Sequence, residues 1–494
     1  MSQKFTVAIC GGGIGGLACA VALARYGDIQ VDIYEAASQF AEIGAGIGMW
    51  PRTWKIMQKL GLERELAQVA IVPPDLTSRT SPFPSLASSL PVTDLACPPE
   101  VAFHFRKGDQ PVGEDFYSMS TPGGLITFRR ADFQAVLLRH IPPSCRTYTN
   151  KRLVSYSQSH TRRASLGAPP PPITLRFQDG TTATCSVLIG ADGIKSATRA
   201  ALVRELAETR VAEGRLREAD ELRRMAAPRW SGTCAYRAII PADVLRARLP
   251  GHRVLHQPMM YFGKDTQITA YTIARGSIVN VAAFHADYSR EDTTFDRPSV
   301  EDVLPEQVLH DFRDWEPEVQ ALFQSIPKSS RWAVHTVAPL PSFVSGRVAV
   351  LGDAAHGMMP YQGSGAGQAV EDGYILAVLL GHKNTTAGTL ARALQVYDAI
   401  RRPFAQGAAA RSHLGGLLYT FNAPGFTPSE LNAGGAPKLV ELAERVRQNF
   451  KWVWETSLDV DVERAVKMLE GGAGPTTRGR SPMDRWRGAA PVRV

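Results

Sequence analysis

Residues 7–36 read VAICGGGIGGLACAVALARYGDIQVDIYEA, and this stretch decides the fold. Its first apolar run, Phe5–Cys10, predicts a strand. The apolar spacing of residues 15–26 favours a helix packed on a sheet, and Ile29–Tyr34 predicts a second strand. A strand, a glycine-rich turn, a helix and a second strand in this order are typical of a Rossmann-type α/β unit.

The glycine turn has the spacing of a dinucleotide-binding site. Gly11 permits the tight turn, Gly13 lets the backbone approach a pyrophosphate, and Gly16 lets helix and strand pack closely. The positive end of the following helix favours the phosphate charge. Glu35 ends the second strand, where an acidic residue accepts hydrogen bonds from an adenosine ribose. The unit predicts a bound dinucleotide but does not by itself distinguish NAD from FAD.

A second glycine-rich unit favours FAD. Residues 346–381 read GRVAVLGDAAHGMMPYQGSGAGQAVEDGYILAVLLG, which predicts a buried strand, a polar loop and a long helix. A polyol such as the ribityl chain of FAD requires hydrogen-bond partners, and Asp353 provides an acceptor for one hydroxyl. A helix that begins near Gly365 and Ala366 directs its N–H groups at the pyrimidine edge of the flavin, which becomes anionic on reduction.

Strand-like runs from Tyr236 to about residue 284 predict a sheet inserted between pieces of the first domain. We therefore expect a discontinuous FAD-binding domain, a β-sheet substrate domain, C-terminal helices and a disordered basic tail. The predicted boundaries are 1–75, 125–200 and 335–400 for the FAD-binding domain, 76–124 and 229–334 for the substrate domain, 401–470 for the helices and 471–494 for the tail.

Composition narrows the class of protein. The chain has 494 residues and a net charge of +8, but its Lys and Arg residues are scattered and form no nucleic-acid motif. No apolar run approaches the roughly 20 residues that span a bilayer, and the first strand begins at once, so we expect a cytoplasmic protein without a signal peptide. The cysteines show no metal-ligand spacing and are expected to be reduced: Cys10, Cys19, Cys97, Cys145, Cys185 and Cys234.

Three motifs together resemble those of the single-component FAD-dependent aromatic hydroxylases, the class that contains p-hydroxybenzoate hydroxylase. They are GGGIGG near the N-terminus, GADGIKSATR at 190–199 and GDAAHGMMPYQGSGAGQAVED at 352–372. The similarity covers about residues 5–415 and is greatest to the salicylate hydroxylase-like branch, which includes fungal enzymes that dearomatise phenols. It implies a p-hydroxybenzoate hydroxylase-like fold, bound FAD, and NADH or NADPH and O₂ as co-substrates.

The resemblance also implies an activity. NAD(P)H reduces the flavin, O₂ adds at its C4a position, and the hydroperoxide delivers oxygen to a phenolic or salicylate-like ring. The resemblance does not decide among hydroxylation, oxidative decarboxylation and dearomatisation. It also leaves open whether the reductant is NADH or NADPH and whether the protein is a monomer or a homodimer. The expected partner is a small aromatic molecule, with neither nucleic acid nor membrane.

By the same resemblance, several positions are expected to contact FAD. Asp192 matches an Asp-Gly motif that serves FAD and the pyridine nucleotide, although a turn or helix-cap role is the alternative. At Gly48 the backbone is expected to approach the flavin closely, and Pro360 is expected to border the substrate side of the flavin. Arg130 matches an arginine that contacts FAD, with Arg129 as its competitor. The family usually has an asparagine shortly after the proline of this segment, whereas Arg52 and Thr53 follow Pro51 here, so the resemblance implies no flavin or substrate contact at these two positions.

Two residues of the inserted sheet are the catalytic candidates. Arg237 lies among apolar neighbours, and a buried arginine requires an anionic partner, which a phenolate or carboxylate substrate provides. A structural salt bridge is the alternative. Tyr271 resembles the substrate-contacting tyrosine of the phenol-dearomatising enzymes, with ordinary sheet packing as its alternative.

Two other functions share the first glycine motif. An FAD-dependent oxidase or dehydrogenase, such as an amine oxidase, lacks the second and third motifs in this form. A flavin-binding redox sensor without catalysis is the non-enzyme alternative, and a flavin reduced equally slowly across a panel of phenols would favour it.

Overall fold

The computed structural model describes residues 3–40, 46–70, 99–122, 124–159, 170–274 and 276–471. Its strands are β1 Phe5–Cys10, β2 Ile29–Tyr34, β3 Gly46–Met49, β4 Pro99–Lys107, β5 Glu114–Pro122, β6 Ile126–Arg129, β7 Arg146–Tyr148, β8 Leu153–Ser157, β9 Ile173–Phe177, β10 Thr182–Cys185, β11 Val187–Gly190, β12 Arg229–Pro241, β13 Met259–Gly263, β14 Thr266–Ile273, β15 Ile278–Ala286, β16 Val300–Val303, β17 Ser329–Thr336, β18 Val344–Ser345 and β19 Val348–Val350. Its α-helices are α1 Ile14–Leu23, α2 Pro51–Leu60, α3 Glu63–Val69, α4 Arg130–Arg139, α5 Ala197–Ala212, α6 Leu216–Arg224, α7 Ala242–Arg248, α8 Pro305–Asp311, α9 Pro317–Gln324, α10 Asp353–His356, α11 Gly365–Gly381, α12 Leu390–Tyr419, α13 Pro428–Phe450, α14 Trp452–Glu455 and α15 Leu458–Leu469.

The first sheet has six strands in the order β18-β19-β11-β1-β2-β7. Strand β1 lies between β11 and β2 and is parallel to both, and β11 pairs in parallel with β19 on its other side. Three distant parts of the chain therefore meet at the centre of this sheet. Both α1 and β1 are almost entirely buried, as expected for a parallel sheet covered by helices. The carboxyl ends of β1, β11 and β19 therefore open on the same edge, where ligands bind in such sheets.

The second large sheet has eight strands in the order β16-β17-β12-β15-β14-β13-β4-β5. Its pairs are antiparallel except for β13 and β4, which run parallel. One face packs on the C-terminal helices through residues such as Ala235, Phe284 and Tyr361, and the other packs on α7, α8 and α9 through residues such as Ile240 and Phe323. Side chains of β12 therefore alternate between these two environments.

The predicted fold class, an α/β fold with an inserted sheet and a helical C-terminal region, is confirmed. The first helix ends at Leu23 rather than near residue 26, because residues 24–26 form a turn before β2. The domain boundaries stay a prediction. The tail from 472 onward and most of the 71–99 stretch lie outside the described residues. In the described part, no helix is long and apolar enough to cross a membrane.

Candidate active site

A cavity of about 640 Å³ opens at the carboxyl edge of the six-stranded sheet. The residues around it come from segments far apart in the chain. Among them are all the predicted flavin contacts: Gly11, Gly13, Gly16, Glu35, Gly48, Arg130, Asp192, Asp353, Pro360, Gly365 and Ala366. The fold therefore brings this predicted set together around a single space.

Two positions of the first glycine turn, Gly11 and Gly16, have no room for a side chain. Gly11 has φ +112°, and a Cβ there would lie 2.1 Å from the Ala191 carbonyl oxygen. A Cβ on Gly16 would lie 2.0 Å from the Gly11 carbonyl oxygen. Both glycines thus allow the strand ends and the start of α1 to approach closely, which leaves room for a ligand above the turn.

Glu35 is held by the backbone around the cavity. Its carboxylate accepts hydrogen bonds of 2.7 Å each from the N–H groups of Gly12 and Ala37. Two bonds leave further acceptor capacity on a carboxylate that lines the cavity. The residue is therefore pre-oriented at the end of β2, as binding of a ribose hydroxyl requires.

Asp192 uses its carboxylate within its own turn. One oxygen accepts from the Ser196 hydroxyl, and the other accepts from the backbone N–H and hydroxyl of Thr198, at 2.9 and 3.0 Å. Asp192 therefore shapes the turn into α5, which is the alternative role considered from sequence, while it also lines the cavity.

Arg199 connects this turn to the second glycine-rich unit. It is fully buried, and its guanidinium donates to the carbonyls of Ile194, Ala354 and Ala226 at 2.6, 3.1 and 3.2 Å. Burial lowers the pKa of Arg199, with Asp192 and Asp353 opposing the shift. Because it bonds both loops, Arg199 positions the Asp192 turn and the Asp353 loop relative to each other.

Asp353 is exposed to the cavity. It begins the short helix α10 directly after Gly352, whose φ of +59° makes the turn. Its carboxylate accepts no hydrogen bond from the described residues. On the cavity wall, α11 begins at Gly365. A Cβ added to Gly365 would have no residue other than its chain neighbours within 4 Å, so the space in front of this helix end is open. An unpaired acceptor and an open helix N-terminus thus face the same space.

Arg130 and Arg129 have different surroundings. Arg130 begins α4 and lines the cavity, whereas the Arg129 side chain is 53% exposed and lies 3.9 Å from Asp132. Arg130 therefore lies on the cavity wall and Arg129 does not, while a contact of Arg130 with FAD stays a prediction.

Arg237 lies in the middle of β12, on the face toward the C-terminal helices. Its guanidinium lies 4.9 Å from the centre of the Trp332 ring, and it makes no salt bridge to a described residue. Burial and the positive charge of Arg130 lower the pKa of Arg237, while Tyr271 opposes this shift. Two arginines thus lie close together without a carboxylate to neutralise Arg237.

Tyr271 lies beside the strand that borders the flavin cavity. A Cβ on Gly46 would lie 2.2 Å from the Tyr271 hydroxyl oxygen, so β3 and this side chain are in close contact. Burial raises the pKa of Tyr271 to about 12, opposed by Arg237. The phenol therefore stays protonated at neutral pH. Neither Arg237 nor Tyr271 is among the residues that line the large cavity. Tyr271 lies against β3, which borders it.

Sequence reasoning missed a buried network of charges beneath α11. Arg401 donates to Glu371 at 2.9 Å and to Asp372 at 2.8 Å, and all three side chains are fully buried. Arg52 donates to Glu371 at 3.0 Å, and His356 contacts Asp372 at 2.6 Å. The available signal in the sequence was the pair of adjacent acidic residues, Glu371 and Asp372, within the otherwise largely apolar helix α11.

Arg52, the departure from the family pattern, belongs to this network and does not line the large cavity. Its guanidinium also donates to Thr456 and to Asp461, and it lies 4.1 Å from the centre of the Phe404 ring. Arg52 therefore joins α2 to α11, α12 and α15 rather than contacting the flavin.

Three basic residues on the cavity wall were also missed: Lys151, Arg152 and Lys195. Lys151 pairs with Asp179 at 2.5 Å, whereas Arg152 and Lys195 are exposed and form no salt bridge with described residues. Lys195 follows the Asp192 turn directly, so its position within the GADGIKSATR motif was the available signal.

The cavity fits an extended dinucleotide in size and in chemistry. Its volume falls in the usual range for cofactor sites, roughly 300 to 1,000 Å³. The starts of α1 and α11 supply N–H groups for a diphosphate and for an anionic ring edge. The unpaired carboxylate of Asp353 supplies an acceptor between them.

Comparison with known proteins agrees with this geometry. The family described as FAD binding domain matches residues 4–412. The chain is 34% identical to the FAD-dependent monooxygenase str9 of Strobilurus tenacellus, covering 95% of this chain and 99% of the relative. It is 35% identical to a salicylate hydroxylase of Pseudomonas putida, covering 96% and 98%. A solved salicylate hydroxylase substrate complex superposes with a TM-score of 0.75 at 27% identity, covering 96% of this chain and 99% of that chain.

These similarities extend over nearly the whole chain and include both halves of the site. FAD is the cofactor, and NAD(P)H and O₂ are the co-substrates usual for such monooxygenases. The chain belongs to the FAD-dependent aromatic monooxygenases that include salicylate hydroxylase.

Proposed function

We propose that the aromatic substrate is a phenolic acid of the salicylate type and that Arg237 binds its anionic group. The observation that carries this proposal is the largely buried Arg237, which makes no salt bridge in the described part of the chain and lies near Arg130 and Tyr271. A buried guanidinium without a carboxylate favours an anionic ligand. The similarity to salicylate hydroxylase supports the same substrate class.

The flavin contacts follow from the cavity wall. The turn at Gly11, Gly13 and Gly16 would hold the diphosphate, and Glu35 would accept a ribose hydroxyl. Asp353 would accept a ribityl hydroxyl. The N–H groups of Gly365 and Ala366 would bond the pyrimidine edge, with Gly48, Arg130, Asp192 and Pro360 completing the wall. Bound FAD supplies the electron transfer and the activation of O₂.

Arg237 and Tyr271 would prepare the substrate. A positive charge close to a phenol favours its phenolate, which makes the ring more nucleophilic toward an electrophilic oxygen. Tyr271 keeps its proton at neutral pH because its pKa is raised to about 12, so its hydroxyl can donate a hydrogen bond to a substrate oxygen. The pair thus orients the ring and stabilises its negative charge.

A panel of substrates tests this assignment. NADH and NADPH oxidation would be followed with salicylate-type acids and with matched phenols that lack the carboxylate, and products would be identified by mass after reaction under ¹⁸O₂. We expect one labelled oxygen in the product of the acids. Release of CO₂ separates oxidative decarboxylation from hydroxylation, and loss of ring aromaticity identifies dearomatisation. A product without ¹⁸O would reject monooxygenation and favour an oxidase.

Substitution of Arg237 tests the residue itself. Arg237→Ala should abolish turnover of the aromatic substrate while bound FAD stays largely intact, because the side chain lies outside the wall of the flavin cavity. Arg237→Lys keeps the charge but loses the bidentate geometry, so partial turnover with a raised KM is expected. Loss of flavin from either variant would mean that Arg237 is structural and that the proposed substrate site is wrong.

We also propose a cytoplasmic enzyme that acts as a monomer or homodimer. The described cysteines are all free thiols, and four of the five are buried: Cys10, Cys19, Cys145, Cys185 and Cys234. Reduced thiols are typical of a reducing compartment. Light scattering of the purified protein measures its oligomeric state.

A further inference from the structure

A row of three paired residues crosses the eight-stranded sheet and includes Arg237. Arg237 on β12 pairs with Ala282 on β15, and Ala282 pairs in turn with Thr269 on β14. Residues that pair directly across antiparallel strands point to the same face of the sheet. Thr269 therefore shares the face of Arg237, and we call Arg237, Ala282 and Thr269 the central row.

The central row lies between two places where the sheet contacts the wall of the flavin cavity. One flanking row contains Tyr271, whose hydroxyl packs against Gly46 of β3. The other contains Phe284, whose ring centre lies 5.2 Å from that of Tyr361. Tyr361 directly follows Pro360, and both Gly46 and Pro360 line the cavity. Because rows on one face are roughly 7 Å apart along a strand, the central row lies beside the cavity, between these two contacts.

The face above the central row is not completely covered. All three residues of the row keep some solvent exposure, whereas Phe284 and Gln267 in the flanking row are buried. The strands β12, β15 and β14 each have a neighbour on both sides, so this exposure lies on the face of the sheet and not at an edge. A ligand can therefore rest on the row.

The Arg237 guanidinium lies on the side of the row away from Thr269. It is 4.9 Å from the centre of the Trp332 ring on β17. The indole N–H of Trp332 donates to the Ser330 hydroxyl of the same strand at 2.9 Å, which holds the ring over β17. Ala282 lies on the opposite side of β12 and carries only a methyl group. A gap therefore separates the guanidinium from Thr269, whose Cα is two strands, or roughly 10 Å, from that of Arg237.

The hydroxyl of Thr269 is oriented by Gln267. The side-chain amide of Gln267 donates to Thr269 Oγ1 at 2.8 Å, and no described residue accepts a hydrogen bond from the Thr269 hydroxyl in return. The Oε1 atom of Gln267 is buried without a hydrogen-bond partner among the described residues. An unmet buried acceptor destabilises a folded protein, so its presence beside a partly exposed hydroxyl indicates a role beyond packing. The bond from Gln267 leaves the Thr269 O–H free to donate to a ligand.

We propose that Thr269, oriented by Gln267, is a second polar contact of the substrate site and selects phenolic acids that carry a further oxygen substituent on the ring. That substituent would lie opposite the group that Arg237 binds, because the central row places the two residues at its two ends. The ring would rest on the methyl group of Ala282 between them. This inference rests on the proposed function, since it uses Arg237 as the site of the anionic group.

Ligand binding to the FAD-loaded enzyme tests the contact without requiring turnover. Perturbation of the flavin absorbance gives the Kd values of 2,4- and 2,5-dihydroxybenzoate and of the size-matched 4- and 5-methylsalicylate. The 2,4-isomer should be preferred if Arg237 binds the carboxylate, and the 2,5-isomer if it binds the phenolate, because each then places a hydroxyl opposite the bound group. We expect the preferred isomer to bind about threefold to tenfold more tightly than its methyl counterpart, the effect of one neutral hydrogen bond.

Substitutions on β14 assign this preference to a side chain. Thr269→Val removes the hydroxyl with little change in shape and should abolish the preference for hydroxyl over methyl, whereas Thr269→Ser should keep it. Gln267→Met should reduce the preference, because the Thr269 hydroxyl is then no longer oriented. Thr272→Val is the matched control, since Thr272 lies on the same strand but points to the opposite face. It should leave the preference unchanged.

The outcomes distinguish this inference from the proposed function. If the wild type binds the hydroxylated acids no more tightly than the methylated ones, or if the preference survives in Thr269→Val, the contact at Thr269 is overturned while binding of the acids still supports Arg237. Full preference in Gln267→Met would overturn the positioning role of Gln267. A wild-type flavin that none of the four acids perturbs would reject the proposed function and the contact together.

Discussion

At the scale of single residues, glycines control which side chains can approach the flavin cavity. Gly46 lets the Tyr271 hydroxyl come so close to β3 that any Cβ would collide with it. Gly48, two residues on, packs on Leu125 instead, 2.9 Å from the position a Cβ would take. Because Gly46 has no side chain, Tyr271 of the eight-stranded sheet can contact β3, the strand that borders the flavin cavity.

Gly46→Ala should therefore displace Tyr271 without emptying the flavin cavity. We expect the KM for the aromatic substrate to rise by about tenfold to a hundredfold, the effect of losing one hydrogen bond to a charged group. FAD content should be kept. Gly251→Ala is the control, since no atom lies within 4 Å of a Cβ there. An unchanged KM in Gly46→Ala would show that Tyr271 does not contact the substrate.

The sequence predicts backbone conformation at the site better than it predicts which side chains contact each other. The turn at Gly11 and the start of α11 at Gly365 were both expected, because glycine spacing reports a backbone geometry directly. Arg52, which departs from the family pattern after Pro51, lies in a buried ion network that the sequence did not predict. Its partners Glu371 and Asp461 come from distant helices, so no local pattern could reveal the pairing.

At the scale of elements, α11 is both a flavin-binding helix and the centre of a buried ion network. Its first residues open on the cavity, whereas Glu371 and Asp372, two turns later, are completely buried. Burial would raise the pKa of Asp372, but His356 and Arg401 lower it below its usual value. The helix is thereby fixed to α12 through Arg401 and to α2 through Arg52.

Arg401→Gln should destabilise the protein by about 3 to 5 kcal/mol, because it removes the cation that two buried carboxylates share and, among the described residues, leaves Glu371 with only Arg52 and Asp372 with only His356 as ion-pair partners. Chemical denaturation of the FAD-loaded protein measures the change. Arg402→Gln, at the next position of the same helix, removes an i,i+4 pair with Asp398 whose arginine is 30% exposed. It should cost less than about 1 kcal/mol. Equal losses of unfolding free energy in Arg401→Gln and Arg402→Gln would show that the buried ion network contributes no more than the surface pair.

At the scale of the whole molecule, the cofactor would bridge segments that are far apart in the chain. The proposed contacts lie at Gly11 to Gly48, at Arg130 to Asp192 and at Asp353 to Ala366. The alternation of strands and helices predicted the α/β class and the inserted sheet. The position of Arg237 beside Arg130 could not be predicted, because it depends on how the second sheet packs against the first.

Removal of FAD should therefore destabilise the entire fold. Binding at a concentration a thousandfold above Kd stabilises a folded protein by about 4 kcal/mol, so the flavin-free protein should melt at a lower temperature in calorimetry. Added FAD should restore the original transition, and riboflavin should restore less because it lacks the diphosphate and adenosine that Gly11 and Glu35 are proposed to hold. If riboflavin restores stability fully, the proposed contacts at the N-terminal turn are unnecessary.

The placement of β1 between β2 and β11 also determines when the protein can fold during its synthesis. The strands β1, β11 and β19 end at residues 10, 190 and 350, yet they lie side by side. A ribosome adds about 5 to 20 residues per second. The N-terminal strand β1 therefore emerges roughly 9 to 36 s before its neighbour β11, and roughly 17 to 68 s before β19, which pairs with β11. The nascent polypeptide must protect the apolar edge of this sheet from aggregation until most of the chain has been translated.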